Sequence, residues 1–190
     1  MTWHQALTEA VAALLVAKGV LTTDELRAAI EDLDGRSPAA GARIVARAWV
    51  DPAFRARMLA DVNAAARELG IDTGDILIRA VASTPELHNL IVCTLCSCYP
   101  RLLLGVPPDW YKARAYRSRA VREPRAVLRE FGLELPEGVR VEVHDSTADL
   151  RYLVLPLRPA GTEGWSEERL AAIVTRDCMI GTAVPRAEDG

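Results

Sequence analysis

Three of the four cysteines lie within six residues, at Cys93, Cys96 and Cys98, and the fourth, Cys178, stands far away. Thiolate sulfur binds soft and borderline metal ions and is also the nucleophile of redox chemistry. Cys96 and Cys98 are separated by one residue, a spacing that makes a relaxed disulfide difficult. The cluster therefore predicts metal or redox chemistry rather than a disulfide framework.

Several kinds of site could use these thiols. A structural zinc site needs four ligands, and only His88 and Cys178 are loose candidates to complete one. Cys93 and Cys96 have the spacing of a redox pair, but that interpretation leaves Cys98 without a role. An iron–sulfur cluster would need further cysteines. Metal binding is favoured, and a metal-binding or redox-sensing module without catalysis is the alternative from another class.

The spacing also makes main-chain nitrogen atoms candidate metal ligands. If Cys96 and Cys98 bind one metal ion, the backbone nitrogens of Ser97 and Cys98 are held beside it and can close small chelate rings. Such amides coordinate only when deprotonated, which requires a strongly Lewis-acidic ion, whereas thiolates favour a softer one. A trivalent cobalt or iron centre meets both demands better than zinc.

The segment Val92 to Pro100, the claw, resembles the metal-binding motif of nitrile hydratase α subunits. Similar motifs accompany it in order through the second half of the chain: Thr84-Pro85, His88-Asn89-Leu90, Gly105, Pro107-Pro108, Trp110-Tyr111-Lys112, Glu123-Pro124-Arg125, Arg151 to Pro156, Arg158 to Trp165 and Val174 to Asp177. The same claw occurs in the metal subunit of thiocyanate hydrolases, and three-subunit nitrile hydratases of the toyocamycin type are a further possibility within the family.

The resemblance implies a low-spin, non-corrin metal bound by the three cysteine sulfurs and the backbone nitrogens of Ser97 and Cys98. It also implies that Cys96 is a sulfinic acid and Cys98 a sulfenic acid, while Cys93 stays a thiolate. Thr94 matches cobalt-type members, so cobalt(III) is expected and iron(III) is the alternative.

The implied reaction is hydration of a small-molecule nitrile to the amide, with Cys96 and Cys98 as candidate catalytic groups. Metal-bound water, metal hydroxide and the Cys98 sulfenate are alternative nucleophiles. The expected partner is a β-type subunit of the same enzyme, single or split, in a hetero-oligomer.

Arg101 directly follows Tyr99-Pro100, where many family members have tryptophan. It is a candidate substrate-binding residue, and a solvated surface arginine is the alternative. A cation there would favour polar, extended or anionic substrates, which makes the metal subunit of thiocyanate hydrolase the alternative function. A second departure from the family is the lack of a glutamine between Gly70 and His88.

The first third of the chain is predicted to be helical, and it is the first of the elements that must position these residues. Apolar residues recur at helical spacing from Trp3 to Leu69. Thr22 to Glu25 indicates a helix start, and a further helix is expected from Asp51-Pro52 to Leu69. Breaks are expected at Gly35, Pro38 and Gly41. Residues 1–70 are predicted to form a helical N-terminal arm that contacts a partner, or alternatively a compact helical cap.

The rest of the chain, residues 71–190, is expected to be the metal-binding catalytic domain. Strand patterns occupy Ile76 to Val81, Val139 to Val143 and Leu150 to Leu157. Ser166 stands before Glu167-Glu168 and is predicted to cap a helix. We expect the α+β class, with the helical arm followed by a layered α/β/β/α catalytic domain.

Composition limits the partners. The chain has 190 residues, 50% of them hydrophobic, and a net charge of −3, which predicts no nucleic-acid and no membrane partner. The apolar stretch from Val11 to Val16 is too short to span a bilayer and lacks signal-peptide features, so the cytoplasm is expected. Residues 101–129 carry eight basic and two acidic side chains, interpreted as a solvated or partner-facing surface.

Overall fold

The computed structural model describes residues 1–189 and confirms the α+β class. Two compact units are present, Met1–Gly35 and a second unit that starts at Arg36. The strands are β1 (Leu77–Ala82), β2 (Leu87–Val92), β3 (Arg140–Asp145) and β4 (Leu150–Leu155). The helices are α1 (Trp3–Ala17), α2 (Thr23–Gly35), α3 (Ala39–Val50), α4 (Pro52–Ala60), α5 (Val62–Glu68), α6 (Arg101–Leu104), α7 (Asp109–Lys112), α8 (Arg114–Arg122), α9 (Pro124–Glu130), α10 (Glu167–Ala172) and α11 (Arg176–Ile180).

The first unit contains α1 and α2. Thr2 and Gln5 form a capping box at the start of α1. Thr22 and Glu25 exchange hydrogen bonds at the start of α2, as the sequence predicted. No residue of either helix is buried. Their large apolar side chains are therefore available to a partner: Trp3, Leu7, Val11, Leu14 and Ile30.

The predicted single helix from Asp51 to Leu69 is wrong, because it is divided at Asp61. Asp61 has an extended backbone (φ −154°), and its carboxylate accepts a hydrogen bond from Ala64 N at 2.9 Å, which starts α5. Asp51 caps α4 in the same way through Phe54 N at 2.9 Å. A short polar side chain that satisfies the first amides of a new helix ends the preceding one.

Gly41 was expected to break the helical pattern, yet it lies inside α3. A Cβ there would stand 2.7 Å from Met179 Sδ and 2.9 Å from a methyl of Leu104. Glycine is needed at this position for close packing rather than for a turn.

Two parallel strand pairs form the centre of the second unit. β1 pairs with β4, and β2 pairs with β3. The predicted strands at 76–81, 139–143 and 150–157 correspond to β1, β3 and β4, whereas β2 was not predicted. Helices α4 and α5 pack on β1, the two sheets meet through β2 and β4, and α8 and α9 pack on β2 and β3. This packing has the expected α/β/β/α order.

Helices α3, α4 and α5 belong by packing to the second unit, and they contribute Ile44, Phe54, Met58 and Val62 to its core. The division of the chain at residue 70 into an arm and a catalytic domain stays a prediction about function. Among the residues described, no helix has the length and apolar character needed to cross a membrane.

Candidate metal centre

The three clustered cysteines converge at the carboxyl end of β2. Cys96 Sγ lies 3.4 Å from Cys93 Sγ and 3.0 Å from Cys98 Sγ, and all three sulfurs lie within 4.8 Å of one another. Cys178 lies outside this cluster, with its sulfur 3.2 Å from Thr175 Oγ1. His88 is also elsewhere, because its Nε2 lies 2.7 Å from Gly181 O.

A tight turn produces this convergence. Cys93 follows the last residue of β2, and the N–H of Cys96 donates to Cys93 Sγ at 3.3 Å, which folds the chain back on itself. Cys93 and Cys98 are buried, Cys96 is exposed, and Leu95 at the turn is 84% exposed. The sulfur cluster therefore has a protein-facing side and an open side.

Two of the three thiols, those of Cys96 and Cys98, have shifted pKa values. Hydrogen bonds from the thiols of Cys98 and Cys93 lower the pKa of Cys96 to about 7. Burial, followed by the neighbouring sulfurs, raises the pKa of Cys98 to about 12, and the positive charge of Arg151 opposes that rise. The two shifts have opposite directions, so Cys96 loses its proton more readily than Cys98.

The donor set fits a metal ion with several adjacent sulfur ligands. Sulfurs bound at right angles to one ion, at a bond length of roughly 2.3 Å, are separated by roughly 3.3 Å. The two closest sulfur pairs, at 3.4 and 3.0 Å, bracket that separation. Ser97 is half-buried and stands between Cys96 and Cys98, so its backbone nitrogen belongs to the same short segment. Soft sulfur donors of this kind select thiophilic metals.

Asp145 holds the first part of the claw. Its Oδ1 accepts a hydrogen bond from Thr94 N at 2.9 Å, and its Oδ2 accepts one from Thr94 Oγ1 at 2.5 Å. Asp145 is the last residue of β3 and stands beside Val92 in the parallel register. The two strands therefore bring Asp145 and the claw to the same edge of the sheet.

Helices α7 and α8 hold the claw from its buried side. Tyr116 OH donates to Ile91 O at 2.6 Å, Arg117 Nη1 to Thr94 O at 3.3 Å, and Tyr111 OH to Cys98 O at 2.9 Å. Burial raises the pKa of Tyr111 well above its usual value, which keeps its hydroxyl protonated and able to donate. Carbonyl groups before, within and at the end of the cysteine cluster thus have side-chain donors.

Arg151 on β4 is a half-buried cation without a full set of acceptors. Its Nε and Nη1 atoms are buried and have no hydrogen-bond partner among the described residues. Its charge nevertheless acts on Cys98. Buried donors that lack acceptors are costly in a folded protein. The Nε and Nη1 groups of Arg151 are therefore available to donate hydrogen bonds to a negatively charged group near Cys98.

Arg101 begins α6, three residues beyond Cys98, and its side chain is exposed. Its guanidinium has no ion-pair or hydrogen-bond partner among the residues described. Its contact with substrate stays a prediction. Arg176, in contrast, donates to Val106 O at 3.1 Å.

Sequence reasoning named Cys93, Cys96, Ser97 and Cys98, but it did not identify Asp145, Tyr116 or Arg117 as neighbours of the cluster. Arg117 belongs to the basic segment 101–129, whose charge pattern predicts a solvated or partner-facing surface. A usable signal existed for Asp145, because a polar residue at the carboxyl end of a parallel strand lies where ligand sites commonly form.

A family model and the sequences of individual relatives indicate the same family. The family model described as nitrile hydratase, alpha chain, matches residues 2–183. The alpha subunit of the low-molecular-weight cobalt-containing nitrile hydratase of Rhodococcus rhodochrous is 50% identical over 185 residues, covering 95% of this chain and 88% of that protein.

Two further similarities bear on the site. Thiocyanate hydrolase subunit gamma of Thiobacillus thioparus is 42% identical over 194 residues, covering 96% of this chain and 80% of that protein. A solved double mutant of the iron-type nitrile hydratase from Comamonas testosteroni Ni1 superposes with a TM-score of 0.90 at 42% identity, covering 98% of this chain and 92% of that one.

Proposed function

The chain belongs to the family of nitrile hydratase alpha chains, and from this premise we propose that it is the metal-bearing subunit of an enzyme that hydrates a nitrile to the amide. The observation that carries the proposal is the convergence of the Cys93, Cys96 and Cys98 sulfurs within 4.8 Å. The ligands proposed for the metal are these three sulfurs and the backbone nitrogens of Ser97 and Cys98.

The proposed metal is non-corrin cobalt(III), with iron(III) as the alternative. Support comes from Thr94 and from the cobalt-containing relative of Rhodococcus rhodochrous, whereas the iron-type neighbour supports the alternative. When bound, such an ion acts as a Lewis acid that polarises a nitrile or lowers the pKa of a coordinated water. Cys96 is proposed to be oxidised to the sulfinic acid and Cys98 to the sulfenic acid, with Cys93 remaining a thiolate.

The residues of this chain have separable tasks in the proposal. Asp145 and Tyr111 hold the main chain of the claw through Thr94 and Cys98. Arg151 supplies buried N–H donors to the negative charge that oxidised Cys98 would carry. Cys96 lies on the open side, where substrate can approach.

A β-type subunit, single or split, is proposed to cover that open side and to bind the N-terminal arm. The support is the exposed leucine of the claw, Leu95, and the exposed apolar side chains of α1 and α2. The cytoplasm is the proposed location, because a reducing compartment keeps clustered thiols such as those of Cys93, Cys96 and Cys98 available to a metal.

Thiocyanate hydrolysis is the second candidate function. Arg101 places an exposed cation close in sequence to the cluster, and the gamma subunit of a thiocyanate hydrolase is similar over most of this chain. An anionic substrate would be attracted by this charge.

The test is to co-express the chain with a β-type subunit in cobalt-containing medium and to measure cobalt per complex, amide formed from nitriles, and consumption of thiocyanate. We expect stoichiometric cobalt and amide formation by the complex, with little activity from the isolated chain. Thiocyanate turnover without amide formation would favour the second candidate. A cobalt-loaded complex without either activity would identify a non-catalytic metal module, and full activity of the isolated chain would contradict the partner's role.

A further inference from the structure

Tyr99, near the end of the claw, forms one aromatic cluster with Tyr111 and Tyr116. The rings of Tyr99 and Tyr111 are 5.1 Å apart, and those of Tyr111 and Tyr116 are 5.7 Å apart. All three side chains are buried, and each hydroxyl donates to a main-chain carbonyl. Tyr116 and Tyr111 therefore connect helices α8 and α7 to the main chain before the cysteines, at Ile91, and at Cys98.

The three hydrogen bonds differ in the peptide that they hold. Tyr116 binds Ile91 O, within β2, before the first cysteine. Tyr99 reaches Leu104 O at a long 3.5 Å, in α6. Tyr111 alone donates to a carbonyl that belongs to one of the three clustered cysteines, Cys98, and its side chain has no solvent exposure.

From this difference we propose that Tyr111 is a positioning residue for the metal chelate, acting through the carbonyl of Cys98. The inference rests on the proposed cobalt site. Cys98 would contribute both its sulfur and its backbone nitrogen, which are joined through the same Cα atom as the carbonyl. A hydrogen bond that fixes the direction of this carbonyl restricts rotation of the backbone at Cys98. It thereby fixes where the sulfur and nitrogen of the chelate ring lie.

The surroundings of Tyr111 make this restraint stiff. Its ring packs edge-on against Tyr99 and Trp110, and Ser146, buried at 1% exposure, lies beside its hydroxyl without reaching ordinary hydrogen-bond geometry. The phenol therefore has one hydrogen-bond acceptor, the Cys98 carbonyl. Loss of a group that orients the ligands of a metal commonly lowers the metal affinity about tenfold or more.

The experiment compares Tyr111→Phe with Tyr116→Phe, each in the full chain assembled with its β-type subunit. Both substitutions keep a ring in the same aromatic cluster and remove one buried hydroxyl bonded to a carbonyl, so their structural costs are matched. Three quantities are measured on complexes purified by size exclusion: the melting temperature, cobalt retained during incubation with a chelator, and the position of the sulfur-to-cobalt absorption band.

We expect similar melting temperatures for the two variants. We also expect cobalt loss from Tyr111→Phe to be about tenfold faster than from Tyr116→Phe, with a shifted absorption band in Tyr111→Phe alone. Equal cobalt loss and identical bands would overturn the proposal. So would a Tyr111→Phe chain that fails to assemble while Tyr116→Phe assembles, because the hydroxyl would then serve the fold. Absence of both cobalt and iron from the unsubstituted complex would instead refute the proposed function.

Discussion

Both carboxylate oxygens of Asp145 accept hydrogen bonds from Thr94, one from its N–H and one from its hydroxyl. Thr94 directly follows Cys93, so this contact determines the direction in which the claw leaves β2. The strand pair supplies the geometry, because Asp145 and Val92 are partners in the parallel register.

The first prediction follows from this contact. Asp145→Ala should weaken cobalt retention about tenfold, because the first cysteine loses its main-chain restraint. Thr94→Ser keeps both donors and should behave like the unsubstituted chain, while Thr94→Val loses only the hydroxyl and should be intermediate. Chelator competition on the assembled complexes measures this order. Equal retention in all four proteins would show that the contact has no role at the metal.

The second prediction concerns Arg151, whose buried Nε and Nη1 have no acceptor among the described residues. Arg151→Met should leave the metal-free chain as stable as before or more stable, because unpaired buried N–H groups each cost about 1–3 kcal/mol. The same change should reduce cobalt retention and hydration activity. Thermal melting of the metal-free chain and cobalt content of the complex are the measurements. Loss of stability with unchanged cobalt content would assign Arg151 to the fold alone.

The sequence alone predicts contacts between residues that are close along the chain better than contacts between residues that are distant along it. The spacing of Cys93, Cys96 and Cys98 is local, so the cluster was predictable, and so was the cap at Ser166, whose hydroxyl accepts from Arg169 N. The positions of Asp145 and Tyr111 depend on strand register and helix packing over long separations. The sequence pattern can mark Asp145 as a polar residue at a strand end, but it does not predict the contact of Asp145 with Thr94 or that of Tyr111 with Cys98.

Strand β2 shows a second limit of sequence reasoning. Its residues are buried almost throughout, so the alternation that marks a half-exposed strand is absent. Its polar members, His88 and Asn89, are buried and form hydrogen bonds with Gly181 O and with the hydroxyl of Ser83. Tertiary partners, rather than local preference, make this segment a strand.

The third prediction is a pH dependence of stability. Burial lowers the pKa of His88, whose Nε2 donates to Gly181 O at 2.7 Å. The unfolded chain therefore binds more protons, so the stabilisation is complete above the unfolded pKa of about 6.5 and is lost as the pH falls toward the lower folded pKa.

His88→Gln is the matched variant, because its amide can donate from the same place and does not titrate in this range. The loss of stability between about pH 7.5 and about pH 5 should be greater for the unsubstituted chain, by at most about 1.4 kcal/mol per pH unit. Urea unfolding of both proteins at the two pH values measures the difference. Burial also lowers the pKa of His144, which is common to both proteins and cancels. Parallel pH profiles would contradict the assignment to His88.

The fourth prediction concerns Arg101 and substrate preference. Arg101→Trp should improve catalytic efficiency on a small apolar nitrile relative to thiocyanate by about tenfold, which corresponds to roughly 1.4 kcal/mol in transition-state binding. An exposed cation is replaced by an apolar face, which changes the attraction for an anion. The comparison uses complexes matched for cobalt content. An unchanged ratio would place Arg101 outside the substrate pocket.

The most direct test of the account is the cobalt content of four alanine variants of the full chain, each assembled with its β-type subunit. Cys93→Ala, Cys96→Ala and Cys98→Ala each remove one sulfur from the cluster and should retain almost no cobalt, because the chelate depends on all three sulfur ligands. Cys178→Ala removes a buried thiol outside the cluster and should retain about one cobalt per chain, with at most a loss of packing stability. A Cys98→Ala complex that still held stoichiometric cobalt and formed amide would contradict the central claim.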